Sequence, residues 1–285
     1  MTRVVAVGDC GVDRYLNLKA DRAGGIALNF AVNAKATFPS GAEIIVVSAL
    51  GNDAEAEIVA EAVGDQRLKH VLPRCTGRTS LQVIDRRPDG EKIFVRYEAG
   101  VLANYRVDDA SAAVIAASDV VLFACYRQVM GFFTSALDVP SQGVRAVDFL
   151  DLNDRDDRLA PVARSLDRFD VGFAGLDKDE SALIDGLETM ARRHGKLFIV
   201  TMGAHGSIAL GGAEKVVAEA VPVSDVVDTT GAGDSFAAGF LAAFSRHGDV
   251  ASGLVAGACQ AALTVRRFGA FDAELKPWPK GEEHV

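Results

Sequence analysis

Asp228-Thr229-Thr230-Gly231-Ala232-Gly233-Asp234-Ser235-Phe236 carries more information than any other stretch of this 285-residue chain. It runs from a loop of small residues straight into a segment, 232–246, rich in Ala, Leu and Phe and of helical length. Small residues at 231 to 233 let the backbone come close to a ligand. Amides at a helix N-terminus also face the positive end of the helix dipole. The amides of Gly231, Ala232 and Gly233 are therefore candidates for an anion hole that receives phosphoryl oxygens. Asp234 stands about one turn in, with its carboxylate near the same spot. A carboxylate beside an anion site is electrostatically awkward unless it is there to take a proton, here from a hydroxyl as that oxygen attacks phosphorus. An Asp at a helix start after a glycine turn accounts for the same letters, so these residues alone leave both readings open.

On either side of this stretch, strand-like and helix-like segments alternate. Short apolar runs at 3–7, 43–49, 68–72, 120–124, 144–149, 171–174 and 197–201 read as buried strands. Helical spacing fills 27–38, the segment from 54 to 63, and 250–267. The alternation predicts an α/β fold, a mostly parallel sheet with helices on both faces. Two places break the rhythm. Segments 80–85 and 91–97 flank Arg86-Arg87-Pro88-Asp89-Gly90 and predict a β-hairpin projecting from the core. A second hairpin is expected about Gly211-Gly212. The polar end, 276–285, is expected to fray.

Bulk properties exclude several classes. The formal charge of −9 repels phosphate backbones, so a nucleic-acid partner is not expected. No run approaches the roughly 18 apolar residues of a membrane span, and the apolar run at 4–7 is too short for a secretory signal. Cys10, Cys75, Cys125 and Cys259 show no metal-ligand spacing and read as reduced thiols. These features predict a soluble, cytoplasmic protein. There is no Gly-x-x-x-x-Gly-Lys-Ser/Thr loop, no protein-kinase signature and, at Gly8-x-x-Gly11, no dinucleotide fingerprint.

The 228–236 string resembles the C-terminal signature of the ribokinase/PfkB family of carbohydrate kinases, Asp-Thr-any-Gly-Ala-Gly-Asp, at every fixed position. The resemblance implies that Asp234 is the catalytic base, that the amides of Gly231, Ala232 and Gly233 form the anion hole, and that Thr229 contacts the nucleotide. Gly24-Gly25-Ile26-Ala27-Leu28-Asn29, with Gly51 after one helix and one strand, is similar to the family's N-terminal signature and makes Gly25 and Asn29 sugar-binding candidates. Asp13, in Gly8-Asp9-Cys10-Gly11-Val12-Asp13, falls where the family has a substrate-binding Asp, with Asp9 beside it; a solvated turn is the alternative. Thr201-Met202-Gly203-Ala204-His205-Gly206 resembles the nucleotide-side turn, giving Thr201, Gly203 and Gly206 as ATP contacts. Asp177-Lys178-Asp179-Glu180, expected to open a helix, implies Mg²⁺ held through water by Glu180, with Asp177 where the family has Asn; carboxylates placed for the helix dipole are the alternative. Asp228, Thr230 and Gly269 correspond to a site for a monovalent cation such as K⁺. An ordinary glycine cap on the last helix is the other reading of Gly269.

The resemblance implies a single three-layer α/β/α domain over 1–285, ATP with Mg²⁺, a small sugar-like substrate, and a homodimer formed through the lid. The gap 12–23 is expected to be too short for two lid strands, leaving the lid to the hairpin at about 80–97. This short opening and the run 97–101 are similar to the branch of the family that acts on fructosamines such as fructoselysine. Arg96, Tyr97 and Arg127 could then meet a substrate ring or carboxylate. A nucleoside or plain sugar kinase of the same fold, or a non-catalytic regulator binding nucleotide or sugar, are the competing readings.

Overall fold

The molecule is described by a computed structural model over residues 1–86, 92–152, 158–212 and 215–278. In chain order its strands are β1 Arg3–Val7, β2 Gly11–Tyr15, β3 Ala20–Gly24, β4 Glu43–Val47, β5 Lys69–Val71, β6 Leu81–Arg86, β7 Lys92–Glu98, β8 Val120–Ala124, β9 Val144–Asp151, β10 Val171–Gly175, β11 Leu197–Thr201, β12 Ser207–Leu210, β13 Val216–Ala218 and β14 Lys276–Pro277. The α-helices are α1 Ile26–Thr37, α2 Ala54–Asp65, α3 Asp109–Ala116, α4 Met130–Leu137, α5 Ala160–Ser165, α6 Ser181–His194, α7 Ala232–His247 and α8 Val250–Thr264.

The Val- and Ile-rich runs form a nine-stranded sheet in the order β13-β12-β11-β10-β9-β8-β1-β4-β5. It is parallel from β11 to β5, and β12 and β13 add an antiparallel edge. Strands buried on both faces need apolar side chains at every position, not at alternate ones. Along β1, Val4 and Ala6 join the core beneath α1, α7 and α8, while Val5 and Val7 join the core beneath α4 and α6. Two cores on opposite faces of one sheet make three layers, the α/β architecture that the alternation predicts.

A second sheet departs from expectation. It has five strands in the order β14-β3-β2-β6-β7. The expected hairpin is present as β6 and β7, antiparallel, with its tip at 87–91 outside the described residues. The gap 12–23, however, does hold two lid strands. β2 and β3 pair antiparallel from Gly11↔Gly24 to Tyr15↔Ala20. Five residues suffice for each strand because the turn closes in four, with Lys19 at φ 49°. The chain's end departs as well. Lys276 and Pro277 pair with Asp21 and Ala20, and the Trp278 indole N–H donates to Asp21 Oδ1 at 2.8 Å, so the start of the segment expected to fray is an outer lid strand. Residues 279–285 lie outside the described residues. Polar groups hold this sheet together: the Arg14 guanidinium, buried, donates to both oxygens of Asp21 at 2.9 and 2.6 Å and to Glu55 of α2 at 3.0 Å.

The four cysteines are free thiols, and no helix among the described residues is long and apolar enough to cross a membrane.

Candidate active site

The C-terminal ends of the parallel strands all open on one edge of the main sheet, where ligands bind in open α/β folds. Asp9 follows β1, Arg127 follows β8, Asp148 and Asp151 end β9, Asp177 follows β10 and Thr201 ends β11. Above β1, β8 and β9 lies a cavity of about 700 Å³. It brings together the expected Asp9, Asp13, Gly25, Asn29 and Tyr97 with Thr229, Thr230, Gly231 and Asp234.

Local chemistry explains this convergence. Gly25 caps α1 at φ 98°, and a Cβ there would stand 2.6 Å from the Asp9 carbonyl oxygen. Only glycine lets the chain pass so close and then turn into α1, which aims Asn29 inward. Asn29 Nδ2 donates to Asp234 Oδ2 at 2.9 Å, linking the two signature segments across 205 residues. Asp13, on β2, is 8% exposed and Asp9 7%, which removes the solvated-turn alternative for both. The Ile26 amide donates to Asp9 Oδ1 at 3.2 Å.

Burial holds the Asp234 carboxyl well above the usual carboxylate range, and Asp148, Asp9 and Asp13 push the same way against the Asn29 hydrogen bond. Asp9 is raised to about 6, chiefly by burial, with Asp148 adding to it. A cluster of carboxylates in low dielectric resists full ionisation. Burial and neighbouring carboxylates thus favour the protonated forms of Asp9 and Asp234.

Gly231 caps α7 in the left-handed region, φ 74°, where a Cβ would lie 2.2 Å from the Ala270 Cβ. Gly233 faces open space. Of the three expected anion-hole amides, that of Ala232 donates to the Thr229 carbonyl at 3.2 Å and so closes the turn. Asp228 organises the loop: Oδ1 accepts from the Thr230 amide at 3.0 Å and its hydroxyl at 2.8 Å, and Oδ2 accepts from the Gly269 amide at 3.0 Å. Helix α8 ends at Thr264 with Val265 as its cap, so Gly269 is not a helix cap. The expected cation residues are thus neighbours. Asp228 and Thr230 offer the oxygens a hard cation requires, whereas Gly269 turns its N–H to the carboxylate.

Other expected residues stand apart. Thr201 and the turn Gly203–His205, with Gly206 at φ 87°, lie at the end of β11, two strands from β9, and do not line the cavity. Residues 177–180 precede α6 and do not form its first turn. Glu180 is the N-cap without a side-chain cap, and its carboxylate meets the Arg158 guanidinium at 2.9 Å through both oxygens. No group of three or more His, Cys, Asp or Glu suited to a metal occurs among the described residues. Mg²⁺ needs no such cage, because phosphate oxygens and water supply most of its ligands.

Sequence reasoning missed Asp148, Asp151, Gln82 and Tyr126. Asp148 is 7% exposed on β9, close enough to perturb both Asp9 and Asp234. A charged residue inside a buried parallel strand was the available signal. Gln82 and Tyr126 come from the lid and from beyond β8, and the Tyr126 hydroxyl donates to Gln82 at 3.5 Å. Arg96 is bound to Glu98 at 2.8 Å and is not part of the cavity wall.

Comparison with known proteins gives the following. The pfkB family carbohydrate kinase profile matches residues 171–276. A fructosamine kinase of Bacillus subtilis (strain 168) is 30% identical over 278 residues, covering 94% of this chain and 93% of that protein. A fructoselysine 6-kinase of Escherichia coli (strain K12) is 28% identical over 276 residues, covering 95% of this chain and all of that one, 100%. Among solved structures, the adenosine kinase of Sinorhizobium meliloti superposes with a TM-score of 0.78 at 22% identity, covering 94% of this chain and 95% of that one.

Proposed function

Because this chain belongs to the PfkB family of carbohydrate kinases and phosphorylates a hydroxyl of a sugar or sugar derivative with ATP, we propose that its substrate is a fructosamine and that Asp234 is the base. The carrying observation is the cavity that holds the Asp234 carboxylate, bonded to Asn29, together with Asp9 and Asp13 under a polar lid. Its volume, about 700 Å³, suits a sugar with a substituent. Two full-length relatives named for fructosamine or fructoselysine support the same choice.

In this reading Asp9, Asp13 and Asn29 hold the sugar hydroxyls, each carboxylate accepting from a diol. Asp234 takes the proton of the attacking hydroxyl. The free amides at the start of α7, led by Gly231 and Gly233, stabilise the moving phosphoryl group, with the Ala232 amide joining once Thr229 shifts to meet the nucleotide. Thr201, Gly203 and Gly206 receive the nucleotide on the β11 side. Mg²⁺ bound to the phosphates would neutralise charge, with Asp177 and Glu180, the latter now paired with Arg158, as the residues that would meet its water shell. Asp228 and Thr230 would hold K⁺ beside the loop.

ADP release from ATP·Mg²⁺ checks this against fructosamines, fructose, ribose and nucleosides, in K⁺ and in tetramethylammonium. Fructoselysine is expected to show a kcat/KM roughly tenfold or more above fructose and ribose, about 1.4 kcal/mol of added transition-state binding. The rate is also expected to fall without K⁺. Equal or better turnover of the plain sugars sinks the fructosamine reading, and equal rates in both salts remove the cation.

The lid also supports the homodimer. β7 is the outer strand of the lid sheet among the described residues, with Phe94 63% and Val95 46% exposed. An exposed apolar edge strand invites pairing with a second chain. Sedimentation is expected to give a dimer that Phe94→Ser weakens. A wild-type monomer at micromolar concentration dismisses the idea.

A further inference from the structure

Four carboxylates line the cavity, Asp9, Asp13, Asp151 and Asp234, and Arg127 is the single cation among the described lining residues. It opens the short turn Arg127–Val129 just after β8 and is exposed. Other described arginines about the lid, Arg14, Arg22 and Arg96, are committed to structure. Arg14 serves Asp21 and Glu55, Arg22 serves the carbonyls of Phe271 and Ala273, and Arg96 serves Glu98. Arg127, by contrast, has no hydrogen bond or ion pair among the described residues. Its neighbour Tyr126 packs edge-on against Tyr97 of the lid, ring centroids 4.4 Å apart, so the backbone that carries Arg127 meets the cavity beside the lid.

A plain sugar offers a guanidinium only neutral hydroxyl oxygens, whereas a carboxylate adds charge to two matched acceptors. An anionic group on the substrate would be repelled by the four carboxylates unless a cation met it. We propose that Arg127 sets specificity within the fructosamine class by binding the carboxylate of the amino-acid substituent. The inference rests on the fructosamine reading above. The planar fork of arginine matches a carboxylate with two parallel hydrogen bonds. The protonated linking amine then lies toward the acidic wall, where Asp151 is exposed. The cavity thus offers a cation and carboxylates together to a zwitterionic tail.

The test compares the fructose adduct of lysine with that of the decarboxylated diamine, in wild type, Arg127→Met and Arg127→Lys. Wild type is expected to prefer the carboxylate-bearing adduct by about 10- to 100-fold in kcat/KM, the span of one charged hydrogen-bonded contact. Arg127→Met is expected to erase that preference by raising KM for the carboxylate-bearing adduct far more than for the decarboxylated one, and Arg127→Lys to restore part of it. Equal losses on both adducts, or a raised KM for ATP, would assign Arg127 to the phosphates and overturn the proposal. So would a wild type that uses both adducts equally, an outcome that leaves the fructosamine reading standing. Turnover of plain sugars alone removes both.

Discussion

Replacing Asp234 by asparagine will lower kcat by roughly 10²–10⁴ while ATP still binds, the usual span for loss of a general base. The side chain is 8% exposed, anchored by Asn29 and set in the first turn of α7. The asparagine amide keeps the shape but cannot accept a proton. Burial has already raised the carboxyl well above its ordinary range, so the ionised base is the form that folding disfavours. The sign for stability follows. A carboxyl raised in the folded state stabilises it at low pH, and that contribution is lost as pH rises through the folded value. The asparagine variant is therefore expected to melt no lower than wild type at pH 8, which separates lost chemistry from lost structure. In wild type, kcat/KM is expected to rise with pH as the cluster ionises, with one limb near 6 from Asp9. The variant should keep that limb and lose the one belonging to Asp234. A variant within a few-fold of wild type would refute Asp234 as the base.

The main sheet was legible because its strands are continuous apolar runs. The strands at 120–124 and 197–201 appear with those bounds. The convergence of Asp234, Asn29 and Gly25 on one cavity was legible because backbone constraint and chemistry coincide in glycine-rich signatures. The lid strands were not. β2 and β3, Gly-Val-Asp-Arg-Tyr and Ala-Asp-Arg-Ala-Gly, bury charge and lack an alternating apolar face. What stabilises them is remote: Glu55, the carbonyl of Phe271 and the indole of Trp278. A local signal did exist. In antiparallel register Asp13 faces Arg22 and Arg14 faces Asp21, so each charge meets its opposite across the pair. The pairing of Glu180 with Arg158, 22 residues away, left no comparable trace in the sequence.

Arg14→Met is expected to lower the unfolding free energy by about 3–5 kcal/mol, the cost of stripping one partner from a buried ion pair. The side chains of Arg14 and Asp21 are 6% and 8% exposed, and that of Glu55 is 13% exposed. Without the guanidinium, Asp21 is left buried without its cation, while Glu55, partly exposed, keeps only a long contact of 3.5 Å to Arg78. The indole N–H of Trp278 still serves Asp21 but cannot neutralise it. Thermal unfolding reads the loss as a fall in Tm on the order of 10 °C. Removing the acids as well, in Arg14→Met with Asp21→Leu and Glu55→Leu, should recover much of it, because an apolar cluster of similar volume replaces the pair at little net cost. The functional consequence is separate. Asp13 precedes Arg14 on the same strand and lines the cavity, so a loosened β2 should raise the KM for sugar more than it lowers kcat. A single variant that melts within about 1 kcal/mol of wild type would show that the lid sheet stands on backbone pairing alone, and that its buried charges contribute little to holding it on α2.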